Sequence, residues 1–288
     1  MSAVRVELAC LAEFGHFLRR HRRYWVIGAA LYGTGVRAWS RTRVLRVGFC
    51  LLQAVDDLLD GDRRADGDPR MIAEAVAAAL EGRGRAPGRL GLLAEHLRID
   101  LAPLGAAGER PLETAAALVR HMAIDHERAL RVAVWDAAQL EAHHRTTFRL
   151  SLDLLLIGAG ARLRAADVPE LVAALGWCST HRDLADDLGH GLVNVPREVL
   201  DAASAEGQGL ADLDGMLRTR AARTWLSDGL HETSAGLARL EPRLATDPDR
   251  AGARVCGIFV RSIQRFARRH AAGVAVVSGP ALTSAWRR

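Results

Sequence analysis

Two short acidic strings in this chain have the residue types and spacing for cation chemistry. The first is Asp56-Asp57-Leu58-Leu59-Asp60. On a helix, residues four apart share a face, so Asp56 and Asp60 project together, with Gln53 just upstream on the same side. Asp57 lies about 100° around. The second string is His181-Arg182-Asp183-Leu184-Ala185-Asp186-Asp187, which again sets two carboxylates, Asp183 and Asp187, four residues apart. Glycine follows each string, Gly61 and Gly189, so each pair is expected at a helix C-terminus. Two like charges there repel each other and also meet the negative end of the helix dipole. One such string alone reads more often as a solvated, acid-rich helix end, but two of them, unfavourable on both counts, point to a bound cation. Mg²⁺ suits it, since it takes a few carboxylates, keeps waters and shares oxygens with a substrate phosphate.

These strings need helices to carry them, and the apolar spacing is helical almost everywhere. Helices are expected over Arg22–Ser40, Arg43–Asp60, Pro69–Glu81, Arg89–Pro103, Pro111–Val134, Asp136–Gly160, Val168–Leu188, Gly215–Leu240 and Pro248–Ala271. The only strand-like run is Val274–Val277. The breaks, such as Gly61–Gly67, Gly82–Gly88 and Gly160–Ala166, are too short for interdomain linkers. The expectation is an all-α fold: a single domain over residues 1–276, its long helices surrounding a central cavity, and a tail over 277–288.

Composition narrows the function. The chain has 288 residues, and its 39 basic side chains are all Arg. Without Lys there is no Walker A phosphate loop, Schiff base, pyridoxal-phosphate lysine or Ser–Lys nucleophile. Arg matches phosphate oxygens in pairs, so a phosphorylated ligand remains compatible. Cys10, Cys50, Cys178 and Cys256 lie far apart with no CxxC, which predicts a reducing compartment and no structural zinc. The N-terminal stretch has Glu7 and Glu13 among its apolar residues and no signal-peptide pattern. No run of about 18 apolar residues occurs, so no transmembrane segment is expected. A cytoplasmic location, or one peripheral to a membrane, follows. A net charge of +5 without a basic, aromatic-interleaved patch argues against nucleic acid.

The stretch from Arg182 to Pro196, Arg-Asp-Leu-Ala-Asp-Asp-Leu-Gly-His-Gly-Leu-Val-Asn-Val-Pro, resembles the second signature of the squalene/phytoene synthase family, R-D-x-x-x-D-x-x-x-G-R-x-Y-x-P. It agrees from Asp183 through Gly191 to Pro196 without a gap. Phe49-Cys50 followed by the DDxxD string is similar to that family's first signature. The resemblance implies an isoprenoid-synthase-like helical bundle and an Mg²⁺-dependent prenyltransferase acting on an allylic isoprenyl diphosphate, geranyl to geranylgeranyl. By motif position, Asp56, Asp60, Asp183 and Asp187 become metal ligands and catalytic residues, and Arg182 stands near the diphosphate. Asp57, Gln53 and Arg265 join the residues expected to bind substrate.

The departures from the pattern suggest a different prenyl acceptor. Gln53 stands where the family has Arg, Ser179 where it has Asn, and Leu192 and Asn194 replace its Arg and Tyr. The tyrosine-containing helix signature survives only faintly around His143–Ser151. The segment Tyr24-Trp25-Val26-Ile27-Gly28 lacks the usual Ser. What is kept would ionise one diphosphate; much of what is lost serves a second prenyl diphosphate. The resulting expectation is transfer of the prenyl group to an acceptor such as an aromatic metabolite. The alternatives are head-to-head coupling of the squalene/phytoene type, a terpene cyclase, and a non-catalytic binding or assembly homologue. Arg63 and Arg64 are expected in solvent, as are Arg261, Arg268 and Arg269 beside Arg265. His121, Asp125, His126, His143 and His144 match no zinc spacing and are assigned no metal.

Overall fold

The computed structural model describes residues 3–20, 32–33, 39–40 and 42–276. These residues form eleven α-helices and one 3₁₀ turn, with no strand among the described residues. The helices are α1 (Ala3–Arg20), α2 (Arg43–Leu59), α3 (Pro69–Leu80), α4 (Gly88–Leu101), α5 (Pro111–Arg131), α6 (Ala137–Gly158), α7 (Pro169–Gly189), α8 (Arg197–Ala205), α9 (Leu213–Arg218), α10 (Arg220–Thr246) and α11 (Arg250–Val276). The all-α expectation holds for them. The chain divides into two compact units, residues 1–126 with 150–162 and residues 127–149 with 163–288, so α5 and α6 each give residues to both.

In the first unit α2 packs on α1, α3 and α4. Its apolar stripe (Val44, Val47, Leu51, Val55) is fully or nearly buried against Val6 and Cys10 of α1, Val76 and Leu80 of α3, and Leu93 and Leu97 of α4. A charged side chain also lies inside this core. Arg46 has no exposed surface. It pairs with Glu7 at 2.6 Å, donates to Thr42 Oγ1 at 2.8 Å and the Trp39 carbonyl at 2.9 Å, and lies 3.7 Å from the Trp39 ring centroid. A buried guanidinium is tolerable because nearly every donor is matched.

In the second unit α10 is the central helix and packs on α7, α8, α9 and α11. Leu184, Val195, Met216, Ala222 and Leu226 form part of its core. Two differences from the expected helices have local causes. The span Gly215–Leu240 is broken at Thr219, whose hydroxyl donates to the Met216 carbonyl at 2.7 Å and accepts from the Ala222 amide at 3.3 Å. One residue thus ends α9 and caps α10. α10 then continues through Pro242 to Thr246, past the point where proline usually stops a helix.

α1 and α8 form where no helix was assigned. The apolar run at Val274 continues α11 to Val276 instead of forming a strand: with no partner strand among the described residues, its amides bond four residues back. Of the expected Arg22–Ser40 helix, residues 32–33 are helical and 39–40 form a turn. The rest of it, including Tyr24–Gly28, lies outside the described residues, as does the expected tail.

Candidate functional site

The first acidic string closes α2. Asp56 and Asp57 occupy the last turn, and Asp60 is the C-cap. Gly61, at φ 76°, reverses the chain, and the Arg63 amide bonds back to the Asp57 carbonyl at 2.8 Å. His126 of α5 bonds through Nδ1 to the Leu59 carbonyl, satisfying one of the acceptors that a helix end leaves open. The carboxylates differ in setting: Asp57 is buried, Asp56 half-buried and Asp60 exposed. The Gln53 amide, placed among substrate-binding residues by the sequence, donates to Asp56 at 3.3 Å and to Asp57 at 3.2 Å. It therefore holds the two acids together.

Burial raises the Asp56 carboxyl well above the usual range. The charges of Asp60, Asp57 and Asp125 raise it further, and the Gln53 hydrogen bond opposes them. Asp125, on α5, adds a fourth acid to this surrounding. No spacing in the sequence links Asp125 to the acidic string. Beside the pair, Phe14, Phe17, Phe49, Cys50 and Ala54 form a tight seam that ends at Gln53 and Asp57 and has no room for a water molecule. Arg63 is half-buried rather than fully in solvent: it pairs at 2.7 Å with Glu13, a buried carboxylate that Arg89 also reaches at 2.8 Å. That tie fastens the turn after the acidic string to α1. Arg64 is exposed, as expected.

The second string closes α7 in the other unit. Arg182 Nε donates to both Asp183 oxygens at 3.0 Å, and Nη2 also bonds to Asp183. Asp187 accepts from Asn194 Nδ2 at 2.8 Å. Asn194, which stands where the resemblance expects Tyr, is itself held: its Oδ1 accepts from Arg128 at 3.1 Å. The same guanidinium bonds the Val193 carbonyl at 2.9 Å and lies 4.1 Å from the Trp135 ring centroid. A connected chain from Trp135 through Arg128 and Asn194 thus fixes Asp187. Neither Arg128 nor Trp135 carried any motif signal.

Gly191 explains why this turn needs glycine. Its φ is 84°, and a Cβ there would stand 2.7 Å from the Ala129 carbonyl oxygen. The turn thus lies flat on the end of α5, where Val132 also takes a positive φ of 47°. Arg265 is exposed on α11, as are Arg261, Arg268 and Arg269. Among the described residues it forms no ion pair with Asp183 or Asp187.

One turn upstream on α7, His181 is stacked between Trp177 at 4.9 Å and Trp225 at 4.8 Å, with His270 at 5.6 Å. Burial pushes His181 down to about 3 and His270 to about 4, so both rings are neutral at pH 7. His181 Nδ1 then carries the proton donated to the Trp177 carbonyl at 2.7 Å.

Among the described residues, no three His, Cys, Asp or Glu side chains already form a metal-holding group. The donors fit Mg²⁺ in charge and kind. At the end of α2, a cation would relieve the repulsion that raises Asp56. At the end of α7, it would take Asp183 from Arg182. The chain matches no family model, no curated protein and no solved structure.

Proposed function

We propose that this protein is an Mg²⁺-dependent prenyltransferase of the squalene/phytoene synthase type, acting on an allylic isoprenyl diphosphate. The observation that carries the reading is the gathering of Asp57, Asp60 and Asp125 about Asp56, whose pKa is pushed upward first by burial and then by their charges, at a helix end already unfavourable to negative charge. The Asp183–Asp187 pair at the end of α7 supplies a second set of oxygens of the same spacing. Mg²⁺ held by Asp56, Asp60, Asp183 and Asp187 would supply charge neutralisation for the departing diphosphate.

The chain's own residues account for the remaining requirements. Gln53 keeps Asp56 and Asp57 from separating. Asn194 and Arg128 fix the Asp187 oxygen. Arg182, half exposed and bonded to Asp183, is placed to exchange that carboxylate for a diphosphate oxygen, since a guanidinium binds either in the same forked geometry. Heterolysis of the allylic C–O bond leaves the electron pair on the diphosphate and a cation on the prenyl group. That cation then alkylates an acceptor, which loses a proton.

Leu192 in place of Arg, and Asn194 in place of Tyr, favour an acceptor other than a second prenyl diphosphate, such as an aromatic metabolite. Geranyl or farnesyl diphosphate incubated with Mg²⁺ and a panel of aromatic acceptors tests this. The expected result is diphosphate release with a prenylated product. Absence of diphosphate release with every acceptor refutes it, and a hydrocarbon or alcohol formed without acceptor shows a cyclase instead.

A further inference from the structure

α1 has two apolar faces, and only one is used in the core. Val6, Cys10 and Phe17 point inward and are buried. Val4, Leu8 and Leu11, at i, i+4 and i+7, form a second stripe that is 65, 60 and 50% exposed. Leu18, half-buried, continues it past Gly15, where an added Cβ would meet nothing within 4 Å. The helix is 18 residues long, about 27 Å at 1.5 Å per residue. Isolated exposed leucines are ordinary, whereas a stripe in helical register is a surface.

The charges on α1 are sorted by face. Its two acids, Glu7 and Glu13, turn inward and are paired with Arg46, Arg63 and Arg89. Arg5 and Arg19, both exposed, lie along one border of the outward stripe, and Glu7, held by Arg46, lies along the other. In sequence the chain continues from Arg19 as Arg20-His21-Arg22-Arg23. An apolar stripe whose exposed border is basic, its one neighbouring acid being paired with Arg46, is complementary to a surface that is apolar within and anionic at its rim.

We propose that the outward face of α1 docks on a bilayer containing anionic lipid, with the helix lying in the headgroup region. Val4, Leu8 and Leu11 enter the acyl boundary, and Arg5 and Arg19 meet the headgroups. Such helices bind by combining buried apolar area with attraction to anionic headgroups. A second copy of the chain is a poorer occupant. Two such faces would oppose like charges, and three partly exposed side chains fall short of the about 800 Å² per partner that a stable dimer buries. The proposal is independent of the enzymatic reading.

Flotation of the full chain with vesicles tests it, using phosphatidylcholine alone and phosphatidylcholine with phosphatidylglycerol. The expected result is binding to the anionic vesicles that weakens with added salt, and little binding to the neutral ones. The variant L8D/L11D should bind about tenfold less or weaker still, and R5E/R19E should lose the preference for anionic lipid. Both substitutions lie on exposed positions, and helical circular dichroism and the melting temperature report retained folding. Wild-type chain that ignores anionic vesicles overturns the proposal, as does undiminished binding by folded L8D/L11D. A dimer in light scattering that L8D/L11D dissolves, without vesicle binding, assigns the face to a second copy and also overturns it.

Discussion

Gly191→Ala is expected to unfold the second unit at a lower temperature and to loosen Asp187. Two costs combine at this position. A residue with a Cβ held at φ 84° carries about 1–2 kcal/mol of left-handed strain. The Cβ would also stand 2.7 Å from the Ala129 carbonyl oxygen, which is backbone at the end of α5 and cannot rotate away. Relieving such an overlap costs about 1–3 kcal/mol, for a sum of roughly 2–5 kcal/mol. For a chain of this size, that lowers the melting temperature by about 5–15 °C. Gly61→Ala is the internal control. Gly61 has a similar φ of 76°, but nothing lies within 4 Å of its Cβ position, so only the strain applies. Thermal unfolding followed by circular dichroism should therefore rank G191A well below G61A. Equal losses would show that the close approach to Ala129, and with it the account of the motif glycine, is wrong.

Asp56→Asn should stabilise the metal-free chain at neutral pH. The native carboxyl is raised above its unfolded value, so stability in the wild type falls as pH rises from the ordinary carboxylate range through that raised pKa. Chemical denaturation across this window should show the slope in wild type and a weaker one in D56N, and addition of Mg²⁺ should release a proton from wild type alone. Arg46→Met should cost about 3–5 kcal/mol, because it leaves Glu7 without its buried partner; a loss below 1 kcal/mol in urea unfolding would contradict the role given to that ion pair. His181 and His270 are held below their unfolded values, so they contribute stability above about pH 6.5 that is lost as pH falls toward 4. Tryptophan fluorescence should follow that loss, since Trp177 and Trp225 stack on His181, and His181→Phe should flatten the profile.

The helices and the two acidic strings were legible because they depend on local patterns: apolar spacing of three to four residues, and carboxylates four apart before a glycine. The partners that fix those carboxylates were not, because they come from distant segments. Glu13 claims Arg63, fifty positions away, and Arg128 reaches Asn194 from the end of α5. Asp125 enters the surroundings of Asp56 through tertiary packing, and no spacing rule links the two. Motif position alone does not show that the Gln53 amide bonds Asp56 and Asp57 on its own helix. The helix break at Thr219 was visible in principle, since Thr followed by a helical run is a capping signal. The continuation through Pro242 was not, because the local rule for proline points the other way.

The proposed chemistry requires that the acids ending α2 and those ending α7 each contribute to Mg²⁺-dependent binding of diphosphate. Titration calorimetry with inorganic diphosphate, in the presence and absence of Mg²⁺, tests it on wild type, D56N and D183N. Diphosphate binding that requires Mg²⁺ and is lost in both variants is the expected result. Binding that ignores Mg²⁺, or that survives either substitution unchanged, would contradict it.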